Sequence, residues 1–290
     1  SSAASDVYKR QESNSTSTDG EPLPSAADWL RTPYTYQDLS SEKILVMEYV
    51  PSIKITDTKA LSEAGVTEDD KEDLAESLAR SYLRQLCANR FFSTDPHPGN
   101  LFVLDDGRIG LIDFGQVKQI SGKARCTLGK VMCALSQRER SRDEPYGVLR
   151  DLEPLAELGD ELGVVLRDGA LRPEGPAAVS MWLFDDAGET LPGGYEQNEL
   201  SPNSPATALT SFPQDLVLVA RSSVLIKGLA AKLGVTWSLA SRWAPIASDA
   251  LGLGYDAPRP GRAQRLRAAV KRRAARVVAP FVRRRIARLS

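Results

Sequence analysis

Apolar and polar positions follow two different patterns along the chain, and each pattern predicts a different kind of element. Two short apolar runs, 101–104 and 108–112, flank the turn-forming stretch Asp105-Asp106-Gly107. Short apolar runs joined by an Asp-Gly turn are typical of a β-hairpin. Residues 32–50 hold two further β-rich runs around a Ser-Ser-Glu-Lys turn, which predict a second hairpin.

Helical periodicity dominates the remainder of the chain. Apolar residues from 74 to 86 recur at the spacing of one helix face, and Thr67 followed by Asp70 is typical of a helix cap. Five further helices are predicted over residues 122–137, 151–166, 173–184, 215–233 and 237–253. The Gly-, Pro- and Ser-rich stretch 185–211 predicts a long surface loop. A few strands followed by many helices indicate an α+β fold with a mostly helical large lobe.

Composition limits the chain to one substantial core with appendages. It has 290 residues, of which 42% are hydrophobic. Its three cysteines show no Cys-x-x-Cys spacing, so we expect neither a disulfide framework nor a thiol metal site. No apolar stretch reaches the ~20 residues that a transmembrane helix needs.

The C-terminal tail changes the electrostatic picture. Residues 258–290 carry twelve Lys and Arg and no acidic residue, which leaves residues 1–257 with 25 basic against 38 acidic side chains, a net charge of −13. The apolar residues of the tail fall on one side of a helix that Pro280 would kink. A basic amphipathic helix fits an anionic membrane surface. A solvated, disordered basic tail is the alternative; nucleic acid is not expected, because no aromatic residue beyond Phe281 is interleaved with the charges.

The first residues suggest an artefact of assembly. Residues 1–11 back-translate into a widely used sequencing adapter, so we interpret them as a read-assembly scar and expect the gene to continue upstream. Residues 12–25 are rich in Ser, Thr, Gly and Pro and predict disorder. The expected organisation is therefore 1–28 scar and disordered segment, 29–257 folded domain, and 258–290 basic amphipathic tail.

The strongest chemical signal lies around the first hairpin. Asn100 precedes its first strand and Asp113 follows its second strand, so the hairpin brings both side chains to the same end. Oxygen ligands that converge in this way suit Mg²⁺ together with substrate phosphates. Asp95 lies upstream at Asp-x-x-x-x-Asn spacing, and Asp113 opens an Asp-Phe-Gly sequence. Phosphoryl transfer in kinases uses such a set, one Asp at the acceptor hydroxyl and an Asn and an Asp on the metals.

These residues point to a family. "FFSTDPHPGN" followed by "LIDFG" resembles the UbiB-like (aarF-domain) atypical kinases, as do "KILVMEYVPSIKI", "ESLARSYLRQL" and "FPQDLVLVARSSVLIKGLAAKLG". The resemblance implies a protein-kinase-like fold, mostly its helical C-terminal lobe with a remnant of the N-terminal lobe. It implies Mg²⁺ and ATP as cofactors, Asp95 as the catalytic carboxylate, and Asn100 and Asp113 as metal ligands. The residues that would shape the loop are Pro96, His97, Pro98, Gly99, Phe114 and Gly115.

The resemblance also implies a nucleotide hinge and shows departures from the family. Met47, Glu48, Tyr49 and Val50 would form the hinge, whose backbone groups hold adenine. Ser93 stands where most relatives have a histidine. The alanine-rich loop, the Lys-x-Gly-Gln motif and the nucleotide-binding Lys of the small lobe are not found in the chain. We therefore expect the fragment by itself to turn over little or no ATP.

By resemblance, the function is Mg-ATP-dependent phosphoryl transfer or ATP hydrolysis linked to isoprenoid-quinone or lipid homeostasis. The partners would be ATP, a lipid or quinone-related small molecule and an anionic membrane, and the location would be peripheral to a mitochondrial or plastid membrane. Two alternatives remain open. One is an inactive kinase-like lipid-binding or scaffold protein, which Ser93 favours; the other is a small-molecule phosphotransferase of the aminoglycoside or choline type.

Overall fold

The structure is a computed structural model and describes residues 30–89, 91–141, 152–169, 171–185 and 191–254. Within these ranges the fold is mixed α+β, with short strands concentrated in the first half and helices in the second. The strands are β1 (Leu30–Arg31), β2 (Ser52–Lys54), β3 (Phe91–Ser93), β4 (Leu101–Leu104), β5 (Ile109–Leu111), β6 (Val117–Gln119), β7 (Val165–Leu166) and β8 (Leu209–Ser211). The helices are α1 (Thr58–Glu63), α2 (Glu68–Arg84), α3 (Gly122–Ser141), α4 (Leu152–Leu162), α5 (Gly175–Phe184), α6 (Pro205–Ala208), α7 (Gln214–Lys232) and α8 (Leu239–Leu251).

The predicted hairpin is confirmed as the centre of a four-stranded sheet. Strands β4 and β5 pair antiparallel with Leu101 opposite Leu111, and the sheet order is β1-β5-β4-β2. At the turn, Gly107 adopts a φ of 80°, a left-handed conformation that favours glycine. The Asp106 carboxylate accepts hydrogen bonds from the Arg108 backbone N–H at 3.1 Å and from its Nε at 2.8 Å. The conformation of the turn and the register of the two strands therefore both match the predicted hairpin.

A second, two-stranded sheet encloses the segment that carries the candidate chemistry. Strands β3 and β6 pair antiparallel, with Ser93 opposite Val117. The chain leaves β3 at Ser93, passes through the hairpin, and returns at Val117. The pairing of β3 with β6 therefore joins the two ends of the segment between Ser93 and Val117.

The helical lobe supplies the core against which this unit rests. Helix α2 begins with the predicted cap: the Thr67 hydroxyl accepts from the Asp70 N–H at 3.2 Å and the Asp70 carboxylate accepts from the Thr67 N–H at 2.8 Å. Helix α8 crosses both α2 and α3. The indole N–H of the buried Trp243 donates to the carbonyl oxygen of Ala79 at 2.7 Å, which ties α8 to α2.

The predicted hairpin over residues 32–50 is reduced to a single antiparallel bridge between Thr35 and Met47. Its side chains are largely solvent-exposed, with Tyr34 65% and Tyr49 83% accessible. Neither face of this ribbon is buried against the described core. A strand pair without a buried face gains little from extending its ladder, which explains the shortened element.

The described part of residues 185–211 is not the plain surface loop that its composition predicted. Leu191 and Tyr195 are buried, and α6 and β8 lie in its second half. The Tyr195 hydroxyl donates to Asp168 at 2.6 Å, and the Arg172 guanidinium lies 4.6 Å from the centre of the Tyr195 ring. A buried aromatic anchor with a satisfied hydroxyl gives this Gly- and Pro-rich stretch a fixed path.

No helix within the described ranges is both long and apolar enough to cross a membrane. The predicted tail, residues 258–290, lies outside the described residues, as do residues 1–28.

The cysteines allow a first prediction. Burial raises the pKa of the Cys87 thiol to about 12 and that of Cys133 to about 11, whereas Cys126 is partly exposed. Because the thiolate is the reactive species, we expect iodoacetamide at neutral pH to label Cys126 and to spare Cys87 and Cys133 until the chain is denatured. Peptide mass spectrometry measures this, and labelling of Cys87 in the native chain at the rate of Cys126 would contradict the burial.

Candidate active site

The hairpin brings Asn100 and Asp113 together as its register predicts. Asn100 ends a 3-10 turn, Pro98–Asn100, directly before β4, and the Ile112 N–H donates to the Asn100 carbonyl oxygen at 3.3 Å. The Asn100 side-chain nitrogen lies 3.4 Å from Asp113 Oδ2. An amide and a carboxylate thus stand side by side at the open end of the hairpin.

The Asp113 carboxylate is exposed and is contacted only by neutral donors among the described residues. Its Oδ1 accepts the Gly115 N–H at 2.7 Å, and its Oδ2 faces Asn100. Phe114, between them in the chain, packs against the hydrophobic core. The aromatic ring anchors the turn while the carboxylate on its N-terminal side points outward. No Lys or Arg of the described part pairs with Asp113.

This pair fits a hard divalent cation. Mg²⁺ is commonly held by one or two carboxylate or amide oxygens, with phosphates and waters completing the shell. The amide nitrogen of Asn100 faces Asp113, and half a turn of the amide presents its oxygen instead. The described residues contain no group of three or more His, Cys, Asp or Glu that could hold a metal ion. A metal held here would therefore need additional oxygen ligands such as those of a nucleotide.

Two glycines of the loops are explained by close approach. A Cβ at Gly115 would lie 3.0 Å from Asp113 Oδ1, and a Cβ at Gly99 would lie 3.0 Å from His97 Nδ1. Both contacts are tighter than most Cβ atoms tolerate. In each case the glycine N–H donates to the same atom, at 2.7 Å for Asp113 and 3.1 Å for His97. The glycines therefore let each side chain fold back onto its own backbone.

The Pro-His-Pro segment lies between Asp95 and Asn100. Pro96 is buried and His97 is exposed. His97 Nδ1 accepts the Gly99 N–H, which folds the imidazole back onto its own loop. This contact is compatible with the loop-shaping role predicted for His97, Pro96 and Pro98.

Asp95 lies at the start of the same loop and is held by a distant helix. Its Oδ1 accepts from Arg221 Nη2 at 3.1 Å, across 126 residues of chain. One residue earlier, the Thr94 N–H donates to the Gln116 carbonyl oxygen at 2.9 Å. This bond joins the loop of Asp95 to the loop of Asp113, so the two loops run side by side.

Buried polar residues lie next to the loop, and of these the sequence singled out only Ser93. Ser93 is buried, and its N–H donates to the Gln85 side-chain oxygen at 3.0 Å. Gln85 begins a π-helical turn, Gln85–Asn89, that continues α2, and such turns recur at functional sites. Burial raises the pKa of the neighbouring Tyr82 phenol above its usual range, so Tyr82 stays protonated. Nothing in the local sequence around Tyr82 and Gln85 distinguishes them from ordinary core positions.

The predicted hinge residues, 47–50, interact with the exposed ribbon and with strands β1 and β2. The Glu48 carboxylate pairs with Arg31 and accepts the Tyr34 N–H at 3.2 Å, so its side chain stabilises the short ribbon. Met47 forms the bridge described above, and the Val50 carbonyl oxygen accepts the Ser52 hydroxyl at 3.0 Å. Tyr49 is exposed. The adenine-binding role of residues 47–50 stays a prediction.

Comparison with known proteins places this site in a family. The ABC1 atypical kinase-like domain matches residues 8–143, which include Asp95, Asn100 and Asp113. Protein ACTIVITY OF BC1 COMPLEX KINASE 7, chloroplastic, from Arabidopsis thaliana is 30% identical over 227 residues, 78% of this chain and 31% of that protein. The chloroplastic KINASE 1 of the same series is 32% identical over 162 residues, 56% of this chain and 21% of that protein.

Other similarities are shorter or looser. The uncharacterized protein sll1770 of Synechocystis is 36% identical over 116 residues, 40% of this chain and 19% of that protein. The structure of Rv3197 with erythromycin, from Mycobacterium tuberculosis, aligns with a TM-score of 0.43 at 17% identity, over 83% of this chain and 57% of the other. That alignment adds nothing to the assignment.

The chain spans about a third or less of the length of the curated relatives above, 31%, 21% and 19%. The matched region nevertheless contains the complete segment from β3 to β6, with the candidate carboxylates and the asparagine between them. Residues 8–143 of the chain belong to the ABC1 (UbiB-like) atypical kinase-like domain family.

Proposed function

We propose that the chain carries the catalytic carboxylate and the metal-binding pair of a Mg-ATP-dependent atypical kinase or ATPase. The observation that carries the proposal is the Asn100–Asp113 pair, 3.4 Å apart, whose exposed carboxylate has no cationic partner among the described residues. A carboxylate without a cationic partner, next to an amide, is the kind of ligand pair that holds Mg²⁺ on nucleotide phosphates in kinases.

The roles divide between the two loops. Asn100 and Asp113 hold Mg²⁺, and when bound the ion neutralises charge on the phosphates of ATP. Asp95 accepts the proton of the attacking hydroxyl or water. Pro96 to Gly99 and the Phe114–Gly115 pair keep the two loops in register. Met47 to Val50 supply the backbone groups that hold adenine.

The phosphoacceptor belongs, in this proposal, to lipid or isoprenoid-quinone chemistry at a plastid or mitochondrial membrane. Two plant relatives are described by their names as chloroplastic, which supports an organellar location. The basic tail supports a peripheral position on anionic lipid, because its twelve Lys and Arg lie in a segment without acidic residues.

Removal of the metal tests this proposal directly. We expect calorimetric titration with ATP to show binding in Mg²⁺ and at least tenfold weaker binding in excess chelator, since tenfold corresponds to only about 1.4 kcal/mol of lost interaction. AMP, which lacks the β- and γ-phosphates, is the matched control and should not respond to Mg²⁺. Equal ATP affinity with and without the cation would contradict a metal site at Asn100 and Asp113.

Measuring phosphate release in addition to Mg-ATP binding distinguishes the enzyme from the two alternative functions. A chain that binds Mg-ATP yet releases no phosphate when its small lobe is supplied would favour the inactive, kinase-like scaffold over the enzyme. A chain that transfers phosphate to a soluble amine-containing or hydroxylated metabolite would favour the small-molecule phosphotransferase.

A further inference from the structure

Helix α7 touches the loop of Asp95 at two consecutive residues. Arg221 Nη2 donates to Asp95 Oδ1 at 3.1 Å, and the Ser222 hydroxyl donates to the Thr94 carbonyl oxygen at 3.3 Å. Successive residues of one helix therefore hold successive residues of the loop, one through the side chain and one through the backbone. Two adjacent contacts define an orientation, which a single contact cannot do.

The helix itself has a fixed seat in the lobe. Leu216, Val219 and Ile226 on α7 are buried in the core. Farther along, Lys227 Nζ donates to the carbonyl oxygens of Trp182 and Asp185 at 3.0 and 2.7 Å. A helix held by core packing and by a second helix is a rigid base for the groups it presents.

The Arg221–Asp95 pair contributes little to stability. The two side chains are 50% and 25% accessible, and ion pairs that face solvent typically contribute little to the free energy of unfolding. Arg221 lies at an exposed position of α7, so its side chain does not serve the packing of the core. The contact with Asp95 is thus better explained by the loop than by the core.

We propose that Arg221 is a positioning residue for phosphoryl transfer, which holds the Asp95 carboxylate in its reactive orientation. This inference rests on the proposed function, because it takes Asp95 as the group that receives the acceptor proton. Ser222 assists by fixing the backbone one residue earlier. The arginine itself touches neither metal nor nucleotide in this proposal.

The geometry suits the proton transfer. Arg221 occupies Oδ1 of Asp95 and leaves Oδ2 to accept a proton. As the acceptor oxygen forms its bond to the γ-phosphorus, its proton passes to Oδ2, and the bond from the γ-phosphorus to the β–γ bridging oxygen breaks to release ADP. Holding one carboxylate oxygen selects which oxygen faces the acceptor.

Carboxyl ¹³C NMR on aspartate-labelled chain tests the positioning without requiring turnover. The Asp95 and Asp113 signals are assigned from Asp95→Asn and Asp113→Asn. We expect Arg221→Gln to shift and broaden the Asp95 signal, Arg221→Lys to restore it in part, and the Asp113 signal to stay in place. Arg242→Gln is the matched control: Arg242 is also an ion-paired arginine, at 3.9 Å from Glu76, but on α8. An Asp95 signal with unchanged shift and width in Arg221→Gln overturns the inference.

Kinetics separate positioning from mere structure. With Mg-ATP and with the N-terminal lobe restored, which turnover requires, Arg221→Gln should lower phosphate release roughly 10- to 100-fold, the loss expected when a reacting group is misplaced. The Mg-ATP dissociation constant should stay unchanged, and Arg242→Gln should match wild type in both. Unchanged phosphate release in Arg221→Gln, or a parallel loss of Mg-ATP affinity, overturns the inference.

Failure of the proposed function would give a different result. Wild type itself would not bind Mg-ATP, while the Asp95 signal would still respond to Arg221→Gln.

Discussion

Replacing Asp113 with asparagine should weaken Mg-ATP binding about 100-fold, because an interaction with a charged group worth about 3 kcal/mol corresponds to two decades in affinity. The exchange keeps the size of the side chain and its ability to accept the Gly115 N–H. It removes the negative charge and puts an amide nitrogen where the second carboxylate oxygen faced Asn100. Isothermal titration with ATP in Mg²⁺ measures the change.

Asp95→Asn is the matched control for that experiment. It also removes one carboxylate charge from the same pair of loops, yet Asp95 faces Arg221 rather than Asn100. With the N-terminal lobe restored, we expect nearly unchanged Mg-ATP affinity and a loss of phosphate release, since this residue acts on the acceptor. Equal affinity in wild type and Asp113→Asn, or equal losses in both variants, would contradict the division of roles. Circular dichroism establishes that each variant keeps its helices.

Deletion of residues 258–290 should release the chain from anionic vesicles. The deleted segment holds twelve basic and no acidic residues, and each cationic residue near anionic lipid contributes on the order of 1 kcal/mol. A few contacting residues therefore change the partition by orders of magnitude. Co-sedimentation with vesicles of phosphatidylserine and phosphatidylcholine at physiological salt measures the bound fraction.

Two controls identify the physical cause of vesicle binding. Pure phosphatidylcholine vesicles should retain little of either chain, because the anionic attraction is missing. A tail of the same composition in scrambled order keeps the charge and loses the apolar face, so weaker binding of that chain would support the amphipathic helix. Equal binding of the full chain and the deletion to anionic vesicles would show that the tail is not an anchor.

The part of the site that sequence could predict is the part built by local rules. An Asp-Gly turn between two apolar runs determines the hairpin, and the hairpin register places Asn100 beside Asp113. The cap of α2 was equally predictable from the sequence, since Thr67 and Asp70 lie three residues apart. In these cases the residues that interact are close in sequence or are joined by a regular ladder.

The contact to Asp95 could not be predicted in this way. Arg221 lies 126 residues away, and it meets the loop only because α7 packs across the lobe. The path of the segment around Tyr195 depends likewise on Asp168, 27 residues earlier. At the exposed ribbon, residues 32–50, the sequence predicted more regular structure than is observed. The β propensity is present there, but the ribbon has no buried face to stabilise a longer ladder.

Mn²⁺ in place of Mg²⁺ is the sharpest test of a divalent-cation site at Asn100 and Asp113. In ¹⁵N NMR with ATP present, paramagnetic Mn²⁺ should broaden the Gly115 backbone amide and the Asn100 side-chain amide first. Gly252, at the end of α8, serves as the internal reference. We expect Asp113→Asn to abolish this selective broadening. Broadening that affects Gly252 equally, or that persists unchanged in Asp113→Asn, would contradict it.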